Sequence, residues 1–202
     1  MKYFACIHKK IDTYPFLVEI DSVPSAWDQL TGRQEKIRVQ REAKAIPLRG
    51  LVKSKIQGRP RRDVHETRNT TMSRNFPKIM QFIRDFAAEV DAEPGRAKLA
   101  LLLPGGKVHP HIDRGEYYLR RDRYHLVLQS ETGNFLSAGQ EKVFMQQGEL
   151  WWFNNKIPHE AVNGSHRDRI HLIFDLEPRQ PSDLMLAPGL REKQTDPAPL
   201  AL

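Results

Sequence analysis

Cysteine, long apolar runs and internal repeats are scarce or missing in this 202-residue chain, and each absence removes a class of protein. One thiol, Cys6, excludes an internal disulfide and any metal site built of thiolates, and it fits a reducing cytoplasm. No stretch approaches the ~20 apolar residues of a membrane helix. The apolar run near the start is too short before Lys9 and Lys10 for a secretory signal, so a soluble protein is expected. The net charge of +7 raises the question of a nucleic-acid partner. Its densest cluster, Arg59-Pro60-Arg61-Arg62, has no interleaved aromatics for base stacking and sits in a stretch with Gly and Pro. A solvated basic loop is the expectation there in preference to a nucleic-acid contact, and such a loop beside the pocket could equally help to select an acidic substrate.

What remains reads as one enzyme-sized domain. Hydrophobic content of 39% supports a core once a polar tail is set aside. Residues 16–20 suggest a strand, 25–30 a short helical turn anchored by Trp27, and 45–52 a strand whose Pro47 is tolerable only at an edge or an end. Between residues 76 and 90, Phe76, Ile79, Met80, Ile83, Phe86, Ala87 and Val90 recur at helical spacing. Pro77 suits the first turn, and Asn75 or Ser73 can cap it. That helix should pack on a sheet, ending in the stretch from Asp91 to Gly95. From Arg96 the pattern becomes short strands at 99–103, 108–112, 124–129, 134–137, 142–146, 149–154 and 169–176, punctuated by glycine turns. The predicted fold is mainly β with supporting helices, a two-sheet jelly roll able to hold a metal at its open mouth. Residues 1–177 would form the domain, with 96–177 as its metal-binding core and 1–95 as supporting strands and helix. Prolines at 181, 188, 197 and 199 mark 178–202 as a mobile tail.

The densest chemistry lies in His111-Ile112-Asp113. Alternate residues of a strand share a face, so this imidazole and this carboxylate can close on one ion. Two histidines and one carboxylate on one side of a metal leave the opposite positions open, as a non-haem Fe(II) oxygenase requires. Pro158-His159 offers the third ligand, on an approach that the proline stiffens. Ten residues later Arg169 opens an apolar run to Asp175, and a buried guanidinium near such an iron suggests an acidic cosubstrate such as 2-oxoglutarate. Arg123 and His125 share a face of another strand and can point at the same acid. His171 repeats the placement of His125. His109 is an alternative ligand, but only His111 has a carboxylate two residues on.

Five segments carry a resemblance: residues 103–113 (Leu-Pro-Gly-Gly-Lys-Val-His-Pro-His-Ile-Asp), 123–128 (Arg-Tyr-His-Leu-Val-Leu), 148–154, 158–162 and 169–175 (Arg-Ile-His-Leu-Ile-Phe-Asp). In this order they resemble the aspartyl/asparaginyl β-hydroxylase family of Fe(II)/2-oxoglutarate oxygenases, which includes bacterial free-proline cis-hydroxylases. The resemblance implies a double-stranded β-helix of the cupin type. It implies iron on His111, Asp113 and His159, the distal carboxylate of 2-oxoglutarate on Arg169, and its other end near Arg123 and His125. The implied reaction hydroxylates an unactivated C–H of an amino acid, an amino-acid side chain in a peptide, or a related small molecule, consuming O2 and releasing succinate and CO2. Animal protein hydroxylases of the family have glycine where this chain has Asp113, which aligns the chain with the bacterial branch. They also have a serine that helps hold the cosubstrate, where this chain has Ala100. Two alternatives compete: a non-catalytic jelly roll that binds an anion, and a cupin dioxygenase with three histidines, against which Asp113 counts.

Overall fold

The computed structural model describes residues 1–29, 42–51 and 66–184. The basic cluster at 59–62 and the tail beyond 184 lie outside them. Among the described residues eleven strands form two antiparallel sheets. In chain order the elements are β1 (Phe4–His8), α1 (Tyr14–Asp21), β2 (Ala43–Leu51), β3 (Thr67–Asn69), α2 (Pro77–Glu89), β4 (Ala92–Leu102) and β5 (Lys107–His111). Then follow α3 (Glu116–Leu119), β6 (Asp122–Gln129), β7 (Asn134–Ala138), β8 (Glu141–Val143), β9 (Leu150–Phe153), β10 (His159–Asn163) and β11 (Arg169–Pro178). The larger sheet runs β1-β9-β6-β11-β4-β2-β3, and the smaller runs β5-β10-β7-β8. This is the expected jelly roll. No helix among the described residues is long and apolar enough to cross a membrane.

Side-chain alternation divides the large sheet into two faces. On the outer face Leu99, Leu126, Leu172 and Phe174 pack with Ile79, Ile83 and Phe86 of α2, the predicted amphipathic helix. On the inner face Leu102, Val127, Trp151 and Phe153 meet Leu136, Ala138, Val143 and Ala161 of the small sheet. Trp152 belongs to the outer core, where its indole N–H donates to Asp122 at 2.8 Å.

Several elements differ from the sequence expectation. Residues 16–20 lie in helix α1, with Pro15 in its first turn and Phe16, Glu19 and Ile20 buried at helical spacing. A five-residue apolar run is too short to separate the two periods. Neither Asn75 nor Ser73 caps α2; Phe76 holds the cap position with no side-chain bond. Instead the carboxylate of buried Glu19 accepts from the backbone N–H of Lys78 at 2.6 Å and Ile79 at 3.2 Å, so α1 caps α2. Strand β4 starts at Ala92, ahead of the expected position 99, because Glu93 and Pro94 still pair with Glu177 and Leu176 of β11. The turn rests on Asp91, at φ 48°. Pro47 lies within β2, but β3 pairs only with Arg49, Gly50 and Leu51, so no ladder bond among the described residues requires an N–H of Pro47, and its carbonyl accepts from the Thr70 hydroxyl at 2.7 Å. Strands β1, β3 and β10 were not anticipated. In β10, His-Glu-Ala-Val-Asn carries only two apolar residues, and its extended form comes from pairing with β5 and β7 on its two sides.

Candidate metal centre

The pairing of β10 with β5 sets His159 directly opposite His111, with ring centroids 4.2 Å apart. Each ring is oriented by a bond from Nδ1 to a carbonyl two residues earlier: His111 to His109 at 2.8 Å, His159 to Ile157 at 2.9 Å. A carbonyl only accepts, so both Nδ1 atoms carry a proton, and Nε2 is the nitrogen each ring has left for a metal. That is the form in which imidazole binds a metal. Asp113 follows just beyond the end of β5, and its backbone N–H donates to Asn155 at 3.1 Å. Ligand atoms of His111, Asp113 and His159 all lie within 4.8 Å of one another. His109, the alternative ligand, turns instead to Glu42 at 3.3 Å.

Electrostatics favour the ligating forms. Burial pushes His159 down to about 4, so at neutral pH it is uncharged, and its 4.0 Å approach to Asp113 is no ion pair. Burial opposes the charge of Asp113, but the Arg123 guanidinium and a 3.0 Å bond from Asn155 outweigh it and hold the carboxyl below its usual range. The donor set, two imidazoles and one carboxylate with no thiolate, fits Fe(II).

Beside these ligands the inner face carries Arg169, His171 and His125. Arg169 is 4% exposed and has no carboxylate partner among the described residues, and burial alone pulls it down to about 10. Its guanidinium donates to His171 Nδ1 at 3.4 Å, and that atom also lies 3.4 Å from His125 Nδ1. Burial, then the charge of Arg169, keeps both histidines well below their ordinary range and therefore neutral. The buried Nε2 of His171 has no partner among the described residues. Ala100 stands opposite His171 across the strands, so no hydroxyl at that position reaches it. A buried cation surrounded by neutral groups is costly, and an anion removes the cost.

Arg123 is placed differently from Arg169. Its Nε and Nη2 donate to the two oxygens of Asp175 at 2.8 and 3.1 Å, and its Nη1 donates to Asp113. Guanidinium has five N–H groups, so two remain for another acceptor. Asp175 and Asn155 were not singled out as site residues. For Asp175 the signal was available, since it shares the parity of Arg169 and His171 in β11; for Asn155, in a loop, none was.

Comparison with known proteins adds three findings. The family model described as aspartyl/asparaginyl beta-hydroxylase matches residues 53–178. An L-proline cis-4-hydroxylase of Rhizobium meliloti is 36% identical over 110 residues, which is 54% of this chain but only 38% of that protein. Among solved structures, a Pseudomonas putida prolyl-4-hydroxylase superposes with TM-score 0.52 at 15% identity, covering 89% of this chain and 95% of that one. A Burkholderia pseudomallei oxidoreductase of the 2OG-Fe(II) oxygenase family gives 0.51 at 10% identity, covering 86% and 95%. At such identities the superpositions speak for the fold alone, whereas the family match spans more than half of the sequence and includes every residue of the triad: the chain belongs to the aspartyl/asparaginyl β-hydroxylase family.

Proposed function

We propose that this protein is an Fe(II)- and 2-oxoglutarate-dependent dioxygenase that hydroxylates an unactivated C–H of an amino acid or of an amino-acid side chain. The observation that carries the reading is a triad of two oriented imidazoles and one carboxylate beside a buried arginine that has no carboxylate partner among the described residues. His111, Asp113 and His159 would hold the iron. Arg169 would take the distal carboxylate of 2-oxoglutarate in its guanidinium fork, and the unpartnered His171 Nε2 supplies a further N–H in the same wall. His125 and the two spare N–H groups of Arg123 would serve the other end. Iron with 2-oxoglutarate and O2 supplies oxidative decarboxylation to succinate and CO2, with one oxygen passing to the substrate carbon. The chain's own work is to fix three ligands, orient an acid and exclude water with Trp151, Phe153 and Val127.

The R. meliloti relative makes a free amino acid the first substrate class to examine. The test incubates the protein with Fe(II), 2-oxoglutarate, O2 and a panel of amino acids and peptides, following succinate and a gain of one oxygen by mass spectrometry. The expected result is substrate-dependent succinate that disappears in Asp113→Ala. Undiminished turnover in that variant would remove Asp113 from the triad.

A further inference from the structure

We propose that Asp175 is a positioning residue for the metal centre: it holds the Arg123 guanidinium, which in turn fixes the Asp113 carboxylate, while Tyr117 locks Asp175 from the other side. The proposal rests on the reading that His111, Asp113 and His159 bind a metal.

The chain of contacts is continuous. Arg123 meets both oxygens of Asp175 through Nε and Nη2, and because guanidinium is a rigid plane, fixing those two N–H groups fixes the direction of Nη1. Nη1 ends on Oδ2 of Asp113, the same oxygen that accepts from Asn155 at 3.0 Å. The other oxygen of Asp113 carries no hydrogen bond among the described residues. Freed from Asp175, the arginine side chain could swing and carry that carboxylate with it.

Asp175 is in turn held fast. It is 2% exposed, and its Oδ2 also accepts from the Tyr117 hydroxyl at 3.2 Å. That hydroxyl accepts from the backbone N–H of Arg96 at 2.7 Å, and the ring lies between two guanidinium groups, Arg96 at 3.9 Å and Arg121 at 4.2 Å. A Cβ at Gly95 would stand 2.6 Å from the Tyr117 oxygen, so the residue at 95 must be small for the tyrosine to reach Asp175. Tyr117 lies in α3, four residues after Asp113. The loop that leaves the metal ligand therefore returns to brace it.

The experiment titrates the full chain with Co(II) under anaerobic conditions and follows the visible ligand-field absorption of the bound ion. Asp175→Asn, shown to be folded by circular dichroism, should bind Co(II) about 10- to 100-fold more weakly and with an altered spectrum. Tyr117→Phe should lose about 2- to 10-fold. Asp122→Asn alters an equally buried neighbouring carboxylate that serves Trp152 and should leave affinity and spectrum unchanged. A folded Asp175→Asn with wild-type affinity and spectrum overturns the proposal. If that variant does not fold, unchanged affinity and spectrum in Tyr117→Phe overturns it. Failure of the wild-type chain to bind Co(II) would overturn the metal-centre reading itself, an outcome distinct from either.

Discussion

The fate of individual side chains here follows from whether a buried charge finds its counter-charge. Arg123 is half-buried and Arg169 buried on the inner face, yet the first meets Asp113 and Asp175 while the second, among the described residues, meets only a neutral histidine. Arg169→Met should therefore stabilise the ligand-free protein, by about 1–3 kcal/mol, because it removes an uncompensated buried charge. In the wild type 2-oxoglutarate should raise the melting temperature, and the same change should abolish that rise. A destabilised variant whose melting point still rises with 2-oxoglutarate would contradict the role of Arg169. His125 and His171 make a second prediction. Burial, followed by the Arg169 charge, holds both below the ordinary value of 6.5 in the folded state, so below that value the unfolded chain takes up protons that the fold refuses. Stability is then fullest above about pH 6.5 and falls on acidification. The urea midpoint of the metal-free protein should drop between about pH 7.5 and about pH 5.5, and a flat profile would count against two neutral buried histidines. Both histidines and both arginines were legible in the sequence through strand parity. The partition of the arginines was not, because it depends on which strands become neighbours.

At the scale of elements, strong periodicity carried through and weak periodicity did not. Helix α2 announced itself by an apolar stripe, and it buries Ile79, Ile83 and Phe86 as that stripe required. Its cap was hidden, because Glu19 is distant in sequence and arrives only when α1 packs nearby. Glu19→Ala would leave two amide N–H groups unanswered and should cost about 2 kcal/mol in chemical denaturation. A change near zero would show that water replaces the carboxylate. Strand β10 is the reverse case. It carries His159 but has almost no apolar signature, so the proposed third ligand was visible as a residue while the strand that presents it was not.

In the whole molecule the fold class was legible and the assembly order was not. Glycine-punctuated short strands pointed to two sheets, whereas the order β1-β9-β6-β11-β4-β2-β3 brings the first strand against the ninth, a pairing that no local pattern encodes. That order is what makes the centre. It sets β6 beside β11, so that Arg123 reaches Asp175, while in the small sheet β5 beside β10 brings His111 to His159. The claim on which the account depends is that this junction binds Fe(II) and 2-oxoglutarate together. The direct measurement is the visible spectrum of the folded protein with Fe(II) and 2-oxoglutarate under strict exclusion of O2. A weak charge-transfer band that requires both components and is lost in Asp113→Ala is the expected result; a folded, iron-loaded protein without the band would not bind the two together.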